Sequence, residues 1–329
     1  MALRTWLSTR RRILLLGGVL ASVAGLGLVR LSGCGPSNPA REALINGLER
    51  LSVPSADGAV TLSALAAGDD ALPRVIYIHG TPGDAKAFVD YLLRPIDGLR
   101  AISVDRLGFG QSEPKKAEPS YQKQAEAVAL LLEERNGKWP ILVGHSLGGP
   151  IAARIAADYP DKVGGVVILA GSLSPELERP HWFNNAADWA IVRAVLPRPL
   201  RTANDEIMRA RPHADALAPL LARVPAPVAI VHGEEDSLVP VGNVDFMLKA
   251  FTGAAEVRVS RIPNRGHFIP WEEPGQVRRA VEWARDHPWH AVRVFDTPTP
   301  TTPTTPTTPT TPTTPTTPTT PTTPSDGSP

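Results

Sequence analysis

Five short apolar runs, each closed by glycine or a polar residue, constrain the fold more than any other feature of the chain. They are Arg74-Val75-Ile76-Tyr77-Ile78, Ala101-Ile102-Ser103-Val104, Pro140-Ile141-Leu142-Val143, Val166-Val167-Ile168-Leu169 and Pro227-Val228-Ala229-Ile230-Val231. Short continuous apolar runs suit strands covered on both faces, as in a parallel sheet. Residues 60–65 read as a strand ahead of them, and residues 255–259 as a last, more amphipathic one. Helical patterns fall between. Residues 122–135 are strong helix formers, with Ser120 placed to cap and Gly137 to stop them; residues 147–159 are small and apolar and end at Pro160; residues 276–286 are charged and amphipathic. Alternation of this kind predicts an α/β, doubly wound, mostly parallel sheet. In such sheets chemistry gathers at the carboxyl ends of the strands.

The two ends stand apart from this pattern. Arg10, Arg11 and Arg12 precede an uncharged stretch at residues 13–29, short for a spanning helix and closer to the apolar region of an export signal. Leu31-Ser32-Gly33-Cys34 then resembles a bacterial lipobox, and Cys34 is the chain's single cysteine. The reading is a lipoprotein-type signal at residues 1–33, with Cys34 lipidated and the protein held at the membrane of a bacterial cell envelope. An uncleaved anchor ending at Arg30 is the alternative. Thr9-Arg10-Arg11-Arg12-Ile13-Leu14 also resembles a twin-arginine signal. At the other end, residues 297–329 hold 11 prolines, and Thr-Thr-Pro repeats eight times over residues 301–324. That composition has no large apolar side chains for a core and suits an extended polyproline II rod. What remains, residues 41–291, is about the size of one α/β domain.

Composition narrows the possibilities further. With 34 Lys+Arg against 33 Asp+Glu the chain is not a basic nucleic-acid binder, and one cysteine excludes a disulfide scaffold or a zinc site of several thiolates. Val143-Gly144-His145-Ser146-Leu147-Gly148-Gly149 carries the strongest chemical signal. It places G-x-S-x-G between an apolar strand and a helix of small residues, the context of a nucleophile elbow. There the serine sits on a sharp turn, its neighbours two residues away must be small, and its hydroxyl stands beside free helix N–H groups. Ser146 is therefore the candidate nucleophile. The Leu147 N–H, next in the chain, is a candidate oxyanion donor. A serine needs a base, and the base an orienting acid.

Together with these, four further motifs in order resemble the α/β-hydrolase fold superfamily, in its serine-hydrolase branch, over most of residues 41–291. His232-Gly233-Glu234-Glu235-Asp236-Ser237-Leu238-Val239-Pro240 is similar to the family's acid loop, and implies Asp236 as the acid, with Glu234 and Glu235 as alternatives. Asn264-Arg265-Gly266-His267-Phe268 is similar to its histidine loop, and implies His267 as the base. His79-Gly80-Thr81-Pro82-Gly83 resembles the loop whose residue after His-Gly donates its N–H, here Thr81, with His79 as a brace. Asp105-Arg106-Leu107-Gly108-Phe109-Gly110-Gln111-Ser112 resembles a family turn and implies loop packing, not catalysis.

The resemblance implies a serine hydrolase that cleaves a carboxylic ester of a small molecule through an acyl-enzyme, with no metal or organic cofactor. Family epoxide hydrolases and haloalkane dehalogenases carry Asp at the elbow, which argues against both activities here. Amide hydrolysis, or a cofactor-free perhydrolase reaction on the same triad, is the alternative, and a non-catalytic anchored binding protein is the rival class. An insert at about residues 172–222 is expected to be a helical lid, with Trp182, Phe183 and Trp189 walling a pocket or simply packing.

Overall fold

The computed structural model describes residues 39–287, so the signal-like segment with Cys34 and the Thr/Pro-rich tail lie outside the described residues. Eight strands form one sheet in the order β1-β2-β4-β3-β5-β6-β7-β8. They are β1 (Glu49–Pro54), β2 (Thr61–Ala67), β3 (Arg74–Ile78), β4 (Arg100–Asp105), β5 (Ile141–His145), β6 (Gly165–Leu169), β7 (Val228–Gly233) and β8 (Val257–Ile262). β2 runs antiparallel to both β1 and β4, and every other neighbouring pair is parallel. The carboxyl ends of β3 to β8 therefore share one edge, as the apolar runs predict.

The helices are α1 (Pro39–Asn46), α2 (Val89–Leu93), α3 (Tyr121–Val128), α4 (Gly148–Asp158), α5 (Trp182–Ala187), α6 (Ala190–Val195), α7 (Arg198–Met208), α8 (Ala210–Leu217), α9 (Gly242–Ala250), α10 (Ile269–Glu272) and α11 (Pro274–Asp286). They cover both faces. Along β3, Ile76 and Ile78 join the core under α3, α4 and α9, while Val75 and Tyr77 join the core under α2 and α11. The same alternation in β5, β6 and β7 explains why their sequences are apolar throughout rather than every second residue. α4 buries Ala152, Ala153, Ala156 and Ala157 together with Ile151 and Ile155 against the sheet.

The structure departs from the sequence reading at three places. β1 was not expected; its polar and apolar residues alternate, and only Leu51 and Val53 pack on the core. The helix expected over residues 122–135 is capped by Ser120, as predicted, but ends at Val128 with one 3₁₀ turn after it. Arg74 captures the chain there, donating to the Leu131 carbonyl at 3.1 Å and pairing with Glu133 at 2.6 Å. Asn136-Gly137, both at positive φ, then turn a two-residue hairpin between Arg135 and Lys138. The last strand begins at Val257 rather than Ala255. Between β6 and β7 the chain folds into α5 to α8, a helical insertion over the sheet's carboxyl edge.

Both outer strands are half-solvated and polar. β1 presents Glu49 and Arg50 with Pro54 at its end, and β8 presents Arg258 and Arg261.

Candidate active site

Ser146 stands between β5 and α4 with φ of 54°, a left-handed conformation that costs a non-glycine residue about 1–3 kcal/mol. The turn is held from both sides. The Ser146 N–H donates to Leu169 O at 2.9 Å, and its carbonyl accepts from Gly149 N at 2.9 Å. The flanking glycines are required by space. A Cβ on Gly144 would lie 2.2 Å from Gly148 O, and one on Gly148 would lie 2.2 Å from Ile78 O. Leu147 is the N-cap residue of α4, and its N–H has no protein acceptor among the described residues. The same is true of the Thr81 N–H in the loop after β3. That loop passes very close to the serine: a Cβ on Gly80 would lie 2.8 Å from Ser146 Cβ.

Asp236 and His267 come from the turns after β7 and β8, and the structure brings them into contact. His267 Nδ1 donates to Asp236 Oδ2 at 2.7 Å, with both residues buried. The other carboxylate oxygen accepts from Leu238 N at 2.9 Å and Val239 N at 2.8 Å. Burial pushes the Asp236 carboxyl up, but the His267 bond, the Val239 N–H and nearby His232 outweigh it and hold the pKa below the ordinary carboxylate value. Asp236 is thus an anion with both oxygens engaged. Glu234 and Glu235 are exposed by comparison. His267 reaches the serine side through His145. His145 Nε2 donates to the His267 carbonyl at 3.0 Å, and the two rings lie 4.8 Å apart. Ser146 Oγ and His267 Nε2 make no hydrogen bond to each other among the described residues; such bonds often close only when substrate binds.

His145 was not singled out by sequence reasoning, although it is the first of the two variable residues of the elbow motif. Burial, above all, pushes its pKa down to about 3, so it is a neutral donor that ties the nucleophile's strand to the histidine loop. Trp271 of α10 packs edge-on against it at 5.3 Å.

The His79 loop is braced from beneath. His79 is buried, and its Nδ1 donates to Gly80 O at 2.7 Å while its Nε2 accepts from Arg106 N at 3.1 Å. Burial, with the Arg106 cation adding to it, holds its pKa well below the ordinary histidine value. Asp105 serves its own turn, accepting from Ala85 N at 2.8 Å, Gln111 N at 3.0 Å and Arg50 Nη1 at 2.9 Å. On the opposite side Ser172, whose N–H reaches Ser146 O at 3.4 Å, hydrogen-bonds the carboxyl of Glu178; burial raises that carboxyl's pKa. Among the described residues no three His, Cys, Asp or Glu side chains converge as a metal site. No helix there is long and apolar enough to cross a membrane.

Residues 73–194 match the family model described as alpha/beta hydrolase fold. A dihydrolipoyllysine-residue acetyltransferase component of an acetoin cleaving system, from Cupriavidus necator, is 33% identical over 96 residues, covering 29% of this chain and 26% of that protein. A 2-(acetamidomethylene)succinate hydrolase from Mesorhizobium japonicum is 26% identical over 68% of this chain and 91% of its own length. The crystal structure of a membrane phospholipase A superposes with a TM-score of 0.54 at 22% identity, over 84% of this chain and 98% of that one. The strand order, the serine turn and these likenesses agree: the chain has the alpha/beta hydrolase fold and matches that family over residues 73–194.

Proposed function

We propose that the protein is a serine hydrolase that cleaves carboxylic esters of small molecules. Ser146 Oγ attacks the ester carbonyl carbon while His267 Nε2 takes its proton. Asp236 keeps the imidazole in the tautomer with Nδ1–H and stabilises the imidazolium that forms. The oxyanion lies against the Leu147 and Thr81 N–H groups. His267 returns the proton to the departing alcohol, leaving an acyl-enzyme. Water, activated by the same histidine, then releases the acid and frees Ser146.

The observation that carries this reading is the buried 2.7 Å His267–Asp236 bond beside a serine held at φ 54°. The Mesorhizobium japonicum relative, a hydrolase by its name, supports hydrolysis over most of the fold. Serine at the elbow, rather than aspartate, supports acyl transfer to water. The test is fluorophosphonate labelling with turnover of p-nitrophenyl esters against aminoacyl amides. Wild type labels at Ser146 and prefers the esters; Ser146→Ala loses labelling and at least about 10⁴-fold of the turnover. Full activity in that variant would end the proposal, and a preference for amides would move it to amidase chemistry.

The setting follows from residues outside the described part of the chain and rests on sequence alone. We propose that the export signal spans residues 1–33 and is cleaved before Cys34, that lipidation of Cys34 anchors residues 41–291 to the cell envelope, and that the Thr/Pro tail is a separate extended segment. Cys34→Ser then moves the protein from the detergent phase to the aqueous phase.

A further inference from the structure

The turn that begins at Asp105 contains the largest side chain wholly buried among the described residues, Arg106. Its side-chain hydrogen bonds go to two places. Nε donates to His79 O at 2.9 Å and Nη2 to Gly80 O at 3.0 Å. Nη1 and Nη2 also grip both carboxylate oxygens of Glu206, at 2.7 and 2.9 Å. Glu206 belongs to α7 of the insertion, is itself 1% exposed, and accepts from Gln124 Nε2 at 3.4 Å. Phe109 supplies its ring beneath the guanidinium at 5.0 Å.

The carbonyl of Gly80 and the N–H of Thr81 are two ends of one peptide group. That peptide is trans, so the two point in opposite directions. Its carbonyl oxygen is pinned by two donors, Arg106 Nη2 and His79 Nδ1. Its N–H edge has no protein acceptor among the described residues, and Gly80, which leads into it, runs so close to the serine that a Cβ there would lie 2.8 Å from Ser146 Cβ. A donor bonded to the carbonyl draws electron density from the nitrogen, and a cationic donor in a dry interior does so most. A buried ion pair is also a poor way to gain stability, because its desolvation rivals its attraction.

Resting on the serine-hydrolase reading above, we propose that Arg106 is a positioning residue of the oxyanion hole. Its guanidinium fixes and polarises the Gly80–Thr81 peptide so that the Thr81 N–H meets the oxyanion, and Glu206 locks the guanidinium from the insertion. The segment that covers the site thereby sets the alignment of a group that stabilises the transition state.

The test uses the full chain with the double substitution Arg106→Met and Glu206→Leu, which leaves no lone buried charge. Turnover of p-nitrophenyl acetate, affinity for an aryl trifluoromethyl ketone and thermal melting are measured together. That ketone forms a tetrahedral oxyanion on the serine. The expected result is kcat lowered about 10- to 100-fold, part of what loss of a whole oxyanion donor costs. KM stays within about 3-fold, and ketone affinity falls in step with kcat. Unchanged kcat in a folded double variant overturns the assignment. So does a loss confined to KM with ketone affinity intact, which would make the pair a fastener of the insertion alone. If the double variant gives no cooperative melt, Arg106→Lys carries the same readouts, because it keeps the charge and loses the fork. Ser146→Ala is assayed alongside. Activity in Ser146→Ala would sink the serine mechanism itself, whereas an inactive Ser146→Ala beside a fully active double variant sinks only the role of Arg106.

Discussion

The loops at the carboxyl ends of the strands and the helices at the start of the insertion are built on opposite terms. In the loops, His79, Asp105, Arg106, Asp236 and His267 are all buried and tied by hydrogen bonds to backbone or to one another. In the insertion, α6 buries no side chain, and Trp182, Trp189, Ile191 and Val195 are 54%, 67%, 84% and 79% exposed. A group that must meet a transition state within a fraction of an ångström needs neighbours that leave it no alternative position. Exposed apolar side chains on short helices are under no such enforcement. The two regions answer to different constraints: packing and polar satisfaction in the first, exposure to solvent in the second.

Substitutions can break that comparison, starting where the effect is largest. Asp236→Asn keeps the shape but favours the wrong tautomer of His267, and is expected to lower kcat about 10³- to 10⁴-fold with little change in melting temperature. Retained activity would pass the acid's role to Glu234 or Glu235. Gly148→Val forces a side chain into Ile78 O, where even a Cβ would lie 2.2 Å away. A loss of about 3 kcal/mol or more in a denaturant titration is expected, and a loss below about 1 kcal/mol would show the elbow to be looser than described.

The ordinary histidine pKa is 6.5, and burial pushes that of His145 down to about 3. Unfolding returns the ring to water, so between those values the unfolded chain takes up a proton that the folded one refuses. The contribution is complete above about pH 6.5 and is lost as pH falls toward 3. Buried His79 and His232 shift in the same direction. Melting temperature should therefore drop between pH 7 and pH 5, and His145→Gln should reduce the drop. An unchanged drop in that variant would remove His145 from the cause. The smallest effect belongs to the insertion. Trp189→Ala is expected to leave stability within about 0.5 kcal/mol and to alter KM only for long-chain or aryl esters. A large fall in stability would mean that the exposed helices are braced after all.

What the sequence disclosed follows the same division. The strands from β3 to β7 were legible because double-sided burial makes each an apolar run, and the turns that follow them carry the site's residues at fixed offsets. Gly144 and Gly148 were legible because backbone crowding admits nothing larger. β1 escaped because a strand solvated on one face has only a weak alternation to show. The early end of α3 escaped because Arg74, far off in the chain, takes the carbonyl of Leu131. The Arg106–Glu206 pair escaped for the same reason: its members are 100 residues apart, and only the fold of the insertion joins them. His145 was in plain view inside the elbow motif, but its bond to the His267 carbonyl spans 122 residues.

The polar outer strands have a consequence for how such molecules meet. A neighbouring chain seeking to extend the sheet would have to dock against Arg258 and Arg261 on one flank, or against Glu49, Arg50 and a proline without an N–H on the other. Arginines brought side by side on the first flank, and a missing donor on the second, make both poor templates for strand addition. Crowded copies can then touch without zipping into a continuous ribbon.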